Sequence, residues 1–173
     1  MEDRLYIVTG APGAGKSATL DAFLALQTAY VGFDIDWLAS TASDLAGTSI
    51  ILDQTTWRPY RALWFEVLHA IMRNGSVPVL FASIDREDIA GVGSLAWCGG
   101  IDWLLLDCDD HIRRERLTRR EGWTAAMVED AILDAMALRS AFSTTVDTGR
   151  HLPRSIAARV VAWLDQCRKG SAP

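Results

Sequence analysis

The strongest chemical signal in this chain is the run Gly10-Ala11-Pro12-Gly13-Ala14-Gly15-Lys16-Ser17. Its spacing fits G-x-x-x-x-G-K-[ST], a loop that cradles phosphate groups. Glycines let successive main-chain N–H groups converge on phosphate oxygens without obstruction by Cβ atoms. A helix opening near Lys16 points the positive end of its dipole at the same place. Lys16 reaches the β- and γ-phosphates as a compact charge, and Ser17 offers a hydroxyl to Mg²⁺. The nucleotide-binding set read from this run is Gly10, Gly13, Ala14, Gly15, Lys16, Ser17 and Ala18.

The loop works only between a strand and a helix, and the pattern supplies both. Leu5-Tyr6-Ile7-Val8 reads as a buried strand, and Ser17 to Leu26 carries apolar residues at helical spacing. Tyr30 to Phe33 reads as a second strand ending in Asp34-Ile35-Asp36-Trp37. Residues 37–56 have no clear period, and Ile50-Ile51-Leu52 fits a strand or a helical turn. From Pro59 onward, Tyr60, Leu63, Trp64, Val67, Leu68 and Ile71 form one helical face. Strands are expected at Val77–Ile84, Ile101–Leu106 and Thr144–Asp147. Helices are expected after Asp109 and Thr124, and a last one from Pro153. Short apolar strands alternating with helices predict an α/β fold, a parallel sheet with helices on both faces. One domain over residues 1–168 and a loose tail at 169–173 complete the expected organisation.

Composition narrows the function classes. Half the residues are apolar and 23% charged, which suits a packed globular core. The net charge of −5 argues against a protein that coats nucleic acid. Fifteen of the seventeen basic residues are Arg, so Lys16 is the sole lysine outside the tail. Cys98, Cys108 and Cys167 lack the spacing of a disulfide framework or a zinc site. No stretch reaches 18 uncharged apolar residues, and the N-terminus lacks the basic start of a signal peptide. A cytoplasmic protein without membrane partners is expected. The one asparagine, Asn74, is followed by Gly75, so the guanine-reading Asn-Lys-x-Asp of GTPases is absent.

Four features together resemble a known family. They are the early phosphate loop, Asp34-x-Asp36 after the second strand, the arginine run 113–120 after the fourth, and Thr145-Val146-Asp147-Thr148 before the last helix. In this order they resemble the nucleoside-monophosphate-kinase-like small-molecule kinases, such as shikimate kinase, gluconate kinase and chloramphenicol phosphotransferase. The resemblance implies a P-loop NTPase fold with a five-stranded sheet of order 2-3-1-4-5. It implies ATP and Mg²⁺ as cofactors and a small-molecule hydroxyl as phosphate acceptor. It makes Asp36 the general base and puts Asp34 beside Mg²⁺, although either carboxylate could instead cap a helix starting at Trp37. It makes residues 109–123 a lid, with Arg116 and Arg120 the leading candidates to close over the nucleotide. Arginine suits that role because its fork pairs two phosphate oxygens.

The same resemblance puts the acceptor near Trp37, Asp53, Trp57, Arg58 and Arg61. Aromatic walls suit a ring-bearing molecule. Tyr60 and Trp64 lie on the apolar stripe of their helix and read as core. Asp53 fits a metal or substrate residue, or a plain loop carboxylate. Arg58 and Arg61 fit an anionic group on the acceptor, or solvent. The acceptor signatures of shikimate and gluconate kinases are not found, so the acceptor stays open among metabolite, nucleoside and antibiotic. A nucleotide kinase, with Arg58 and Arg61 on the acceptor phosphate, and a regulator without transfer activity are the alternatives. Nothing in the sequence indicates an oligomeric state.

Overall fold

The computed structural model describes residues 4–90, 92 and 95–170. Five strands form one parallel sheet in the order β2-β3-β1-β4-β5, as expected. They are β1 (Arg4–Thr9), β2 (Tyr30–Asp34), β3 (Val77–Ala82), β4 (Gly100–Asp107) and β5 (Thr145–Asp147). The central strand β1 pairs with β3 on one side and β4 on the other, with Val8 opposite Phe81 and Leu104.

Successive strand residues point to opposite faces, which divides the core in two. Tyr6, Val8, Val79, Phe81, Leu104 and Leu106 face α1 (Lys16–Leu24) and α7 (Pro153–Gly170). Leu5, Ile7 and Leu80 face α3 (Trp57–Arg73), and Leu105 faces α6 (Ala125–Ala141). With both faces covered, the strands read as continuous apolar runs rather than alternating ones.

The apolar stripe of α3 is rotated from the expected one. Tyr60, Trp64, Phe65 and Leu68 are buried, whereas Leu63 is 44% exposed. At about 100° per residue, Leu63 falls outside the arc centred on Trp64 and Leu68, and Phe65 falls inside it.

The unreadable stretch 37–56 holds three short pieces. A 3-10 turn (Ile35–Leu38) leads into α2 (Ala39–Ala46), and a second 3-10 turn (Gln54–Thr56) precedes α3. Ile50, Ile51 and Leu52 lie in a turn, not in the sheet, so Asp53 does not end a strand. After β3 comes the short α4 (Arg86–Ala90). Residues 91, 93 and 94 of the expected glycine-rich connection lie outside the described residues. Beyond β4 come α5 (Asp110–Thr118) and α6, whose cap Thr124 accepts from the Met127 N–H. Lys169 and Gly170, expected in the tail, close α7 instead, and residues 1–3 and 171–173 lie outside the described residues. None of the three cysteines is in a disulfide. No helix of the described residues is long and apolar enough to cross a membrane.

Candidate active site

Between β1 and α1 the chain turns through Gly13 (φ 79°) and Gly15 (φ 87°). Only glycine enters this left-handed region without strain. At Gly13 there is also no room: a Cβ would meet Leu117 at 3.0 Å and Arg113 at 3.1 Å. The loop thus rests directly on α5. The N–H groups of the first turn of α1 have no helical carbonyl to donate to and open toward the loop.

Lys16 Nζ donates to the carbonyls of Gly10 (2.5 Å) and Ala11 (3.3 Å). Burial pushes its ammonium down to about 8, against the opposing pull of Asp34 and Asp36. The Ser83 hydroxyl, just past β3, donates to the same Gly10 carbonyl at 3.1 Å.

The two carboxylates sit where β2 gives way to the 3-10 turn. Asp34 Oδ1 accepts from the Asp36 N–H at 3.0 Å, so Asp34 caps that turn with one oxygen. Between them, the Ile35 carbonyl accepts from the Tyr60 hydroxyl and from Trp64 Nε1 at 2.7 Å. Tyr60 and Trp64 are core residues, as expected, and in addition they hold this turn in place. Burial, and next the Asp34 charge, raise the Asp36 carboxyl above its ordinary value, with Lys16 opposing.

These parts line one cavity of about 480 Å³. Gly13, Gly15, Lys16 and Ser17 line one side, Asp34 and Asp36 the next, and Ile50, Trp57, Tyr60 and Ile84 the far wall. Arg61 and Arg120 also reach it. A second cavity of about 370 Å³ lies across the loop, lined by Ala18, Arg116, Arg120, Thr148 and Ile156. Gly13, Gly15 and Arg120 border both.

Three expected acceptor residues lie outside this arrangement. Trp37 is 52% exposed and packs edge-on against Phe33. Asp53 caps the second 3-10 turn, accepting from the Thr55 N–H (3.0 Å) and hydroxyl (2.6 Å). Arg58 is exposed and lines neither cavity. Arg61 does line the first cavity, in an ion pair with Asp88 at 2.7 Å.

No protein-family model and no curated protein matches this sequence. Solved structures do resemble it. A sugar kinase from a Janibacter species superposes with a TM-score of 0.67 at 20% identity, over 94% of this chain and 95% of that one. A Deinococcus radiodurans tunicamycin resistance protein gives 0.66 at 19% identity, over 95% and 96%. Aquifex aeolicus shikimate kinase gives 0.56 at 16% identity, over 97% and 99%. The chain has the P-loop NTPase fold of shikimate kinase.

Within this P-loop fold, the loop is braced by Arg113, Asp107, Arg139 and Thr148, to which the sequence assigned no such role, and by Arg116, expected over the nucleotide. Arg113 is fully buried, its Nη1 donating to the Pro12 carbonyl at 2.5 Å and its Nη2 to Asp107 Oδ1 at 2.5 Å. Arg139 holds the other oxygen of Asp107 at 2.6 Å. Arg116 Nη1 donates to the Gly13 carbonyl at 3.1 Å and its Nη2 to the Thr148 carbonyl at 2.8 Å. The Thr148 hydroxyl donates to the Ala14 carbonyl at 2.7 Å. Gly10 packs so tightly on β4 that a Cβ would lie 2.5 Å from the Leu106 carbonyl oxygen.

The expected lid arginines therefore differ in kind. Arg113 and Arg116 hold the P-loop, Arg114 and Arg119 pair with Glu129 and Glu115, and Arg120 faces both cavities. Trp123, just after Gly122, adds an aromatic wall to the first cavity.

Proposed function

We propose that this chain is an ATP-dependent phosphotransferase that moves the γ-phosphate to a hydroxyl of a small-molecule acceptor. The observation that carries the reading is the meeting of Lys16 and Asp36 on one cavity. A phosphate-binding cation and a proton-accepting carboxylate then serve the same reacting atoms. Phosphoryl transfer needs little more than such positioning, charge stabilisation and a proton acceptor.

In this reading the loop glycines, Lys16 and the first turn of α1 hold the donor phosphates. Their fit rests on the positive-φ glycines, the open N–H groups and the ammonium beside them. Asp36 accepts the proton of the attacking hydroxyl, and its raised pKa strengthens it as a base. The bond from the γ-phosphorus to its bridging oxygen breaks as the acceptor oxygen bonds to phosphorus. Arg120, bordering both cavities, offsets charge on the transferring group. Ser17 and the second oxygen of Asp34 would hold Mg²⁺, which supplies charge neutralisation when bound. The second cavity, with Arg116 and Thr148 on its wall, takes the nucleoside.

Arg58 lies off the cavity and Arg61 is paired with Asp88, so the two arginines of a nucleotide-kinase site are not both available. That favours a non-phosphorylated acceptor. The structural neighbours, which include sugar, shikimate and gluconate kinases, support the reaction class.

Thermal unfolding with Mg-ATP, Mg-GTP and ADP tests the loop, with ATP or ADP expected to raise the Tm. Lack of any rise overturns the nucleotide reading. ADP release followed over nucleosides, nucleotides, sugars and antibiotics tests the transfer. Acceptor-dependent turnover that disappears in Lys16→Met is expected. Nucleotide binding with no acceptor-dependent turnover would favour a regulator.

A further inference from the structure

The walls of the first cavity away from the P-loop have almost no polar capacity left. Ile50, Ile51, Trp57, Tyr60, Ile84 and Trp123 supply apolar and aromatic surface. Apart from Trp123 Nε1, the uncharged donors among these lining side chains are already engaged inside the protein. Tyr60 donates to the Ile35 carbonyl, Trp57 Nε1 to the Ile51 carbonyl at 3.4 Å, and Ser83 to the Gly10 carbonyl.

The charges follow the same rule. Lys16 and Arg120 border the P-loop, and on the wall beyond it the one cation among the described residues is Arg61. Its Nη2 lies 2.7 Å from Asp88 Oδ1, and the side chain is 15% exposed. Its guanidinium also sits 5.7 Å from the centre of the Trp57 ring. Asp88 is itself fixed, accepting from the Asp85 N–H at 3.0 Å while its own N–H donates to Asp85 Oδ1 at 2.9 Å. The remaining charges facing the space are Asp34 and Asp36. Beyond Lys16 and Arg120, which serve the transferring phosphate, an anionic acceptor would meet two carboxylates and a cation already paired. A polyol would leave many hydroxyls unpaired against apolar walls, a heavy penalty in a partly desolvated site.

We propose that the acceptor is an uncharged alcohol with an aromatic, largely apolar body, and that Asp88 sets this preference by occupying Arg61. The proposal rests on the phosphotransferase reading only for the fate of the hydroxyl; the binding preference stands apart from it. Asp88 is a specificity-determining residue in this scheme, acting through Arg61 and not on the reacting atoms.

A matched pair of probes tests it on the full-length chain with Mg-ADP bound. The neutral probe is 1-phenyl-1,2-ethanediol. The anionic one is mandelate, which has the same ring and hydroxyl but a carboxylate in place of the terminal CH₂OH. Calorimetric titration is expected to give the diol at least tenfold tighter binding than mandelate, and erythritol no measurable binding. Asp88→Asn frees Arg61 and is expected to tighten mandelate so that the ratio falls below about threefold. The double variant Asp88→Asn with Arg61→Gln is expected to restore it. Mandelate or erythritol binding as well as the diol, no binding of the diol, or an unchanged ratio in Asp88→Asn would each overturn the proposal. Tight diol binding with no diol-stimulated ADP release would instead sink the phosphotransferase reading and leave the binding preference standing.

Discussion

The indole N–H of Trp64 donates to the main-chain carbonyl of Ile35 at 2.7 Å, and Ile35 is the residue between the two carboxylates of the site. Tyr60, one turn earlier on α3, donates to the same oxygen. A helix packed in the core thereby sets where Asp34 and Asp36 stand. Tyr60→Phe removes one donor with little change in volume. It should cost about 1 kcal/mol in stability and lower kcat more than it raises the KM for ATP. Chemical denaturation and steady-state kinetics check both, and an unaltered kcat would refute the positioning role. With Trp64→Phe added, the effects should not add, because the two donors share one acceptor.

Asp36→Asn should trade activity for stability. A carboxyl raised in the folded state disfavours the fold at neutral pH, where it is ionised, and this penalty vanishes in acid. The variant should therefore melt at a higher temperature than the parent at pH 7 and lose that margin on acidification. Its kcat should fall by about 10²–10⁴, with ADP binding retained. Equal kcat in both proteins would remove Asp36 from the base role. In the parent, the acid limb of kcat/KM should lie above the ordinary aspartate range.

Lys16 gives the opposite limb. Its ammonium titrates at about 8 in the free protein, because burial disfavours the charge. Bound phosphate favours the charge, so a proton must be regained on binding once the pH exceeds 8. ADP affinity should weaken by up to about tenfold per pH unit above that point, as titration between pH 7 and 9.5 would reveal. A flat profile would contradict it. The sign for folding is the reverse: a depressed lysine penalises the fold below pH 8, and the penalty fades as the pH climbs toward the unfolded value.

Arg113→Met should be the most damaging of the arginine substitutions for the fold. It removes a fully buried cation from Asp107 and a donor from the Pro12 carbonyl. Arg139 stays on Asp107 and limits the loss. The expected cost is about 3 kcal/mol, or roughly 6–12 °C in Tm. A Tm within about 1 °C of the parent would show that the P-loop does not depend on this brace.

Arg120→Ala should behave in the contrary way. The side chain is exposed, so stability should stay within about 0.5 kcal/mol. The kcat should drop by about 10²-fold if the residue stabilises the transferring group. Unchanged kinetics alongside unchanged stability would assign Arg120 to solvent.

The P-loop, the five strands and most of the helices were legible in the sequence because each is a local pattern, whereas the strand order followed only from the family resemblance. Residues 10–17 need particular residue types, and the five apolar runs need a covered sheet. The arginine cluster was legible only as a cluster. In one dimension Arg113, Arg116 and Arg120 look alike; which one turns under Pro12 depends on how α5 sits against the loop. Stretch 37–56 failed for a different reason. Its two 3-10 turns are short and capped by carboxylates, and α2 between them has eight residues and no side-chain cap, so no period develops. The spacings Asp34-x-Asp36 and Asp53-x-Thr55 were nonetheless available as signs of side-chain-capped turns. Reading Asp53 that way would have separated it from the cavity. Ser83 and Trp123 reach the site through the loops after β3 and α5, Asp88 reaches Arg61 from α4, and only the fold brings them there.

The strand order β2-β3-β1-β4-β5 also divides labour along the chain. The far wall of the first cavity comes mainly from residues 34–61 and 82–84, whereas the braces of the P-loop come from 107–148. The contiguous stretch 37–59 can therefore be exchanged or diversified without touching the hydrogen bonds under the loop, which include that of Ser83 to the Gly10 carbonyl. Evolution, or a designer, can retarget such a scaffold by rewriting about twenty neighbouring codons while keeping the P-loop, its braces and the two carboxylates.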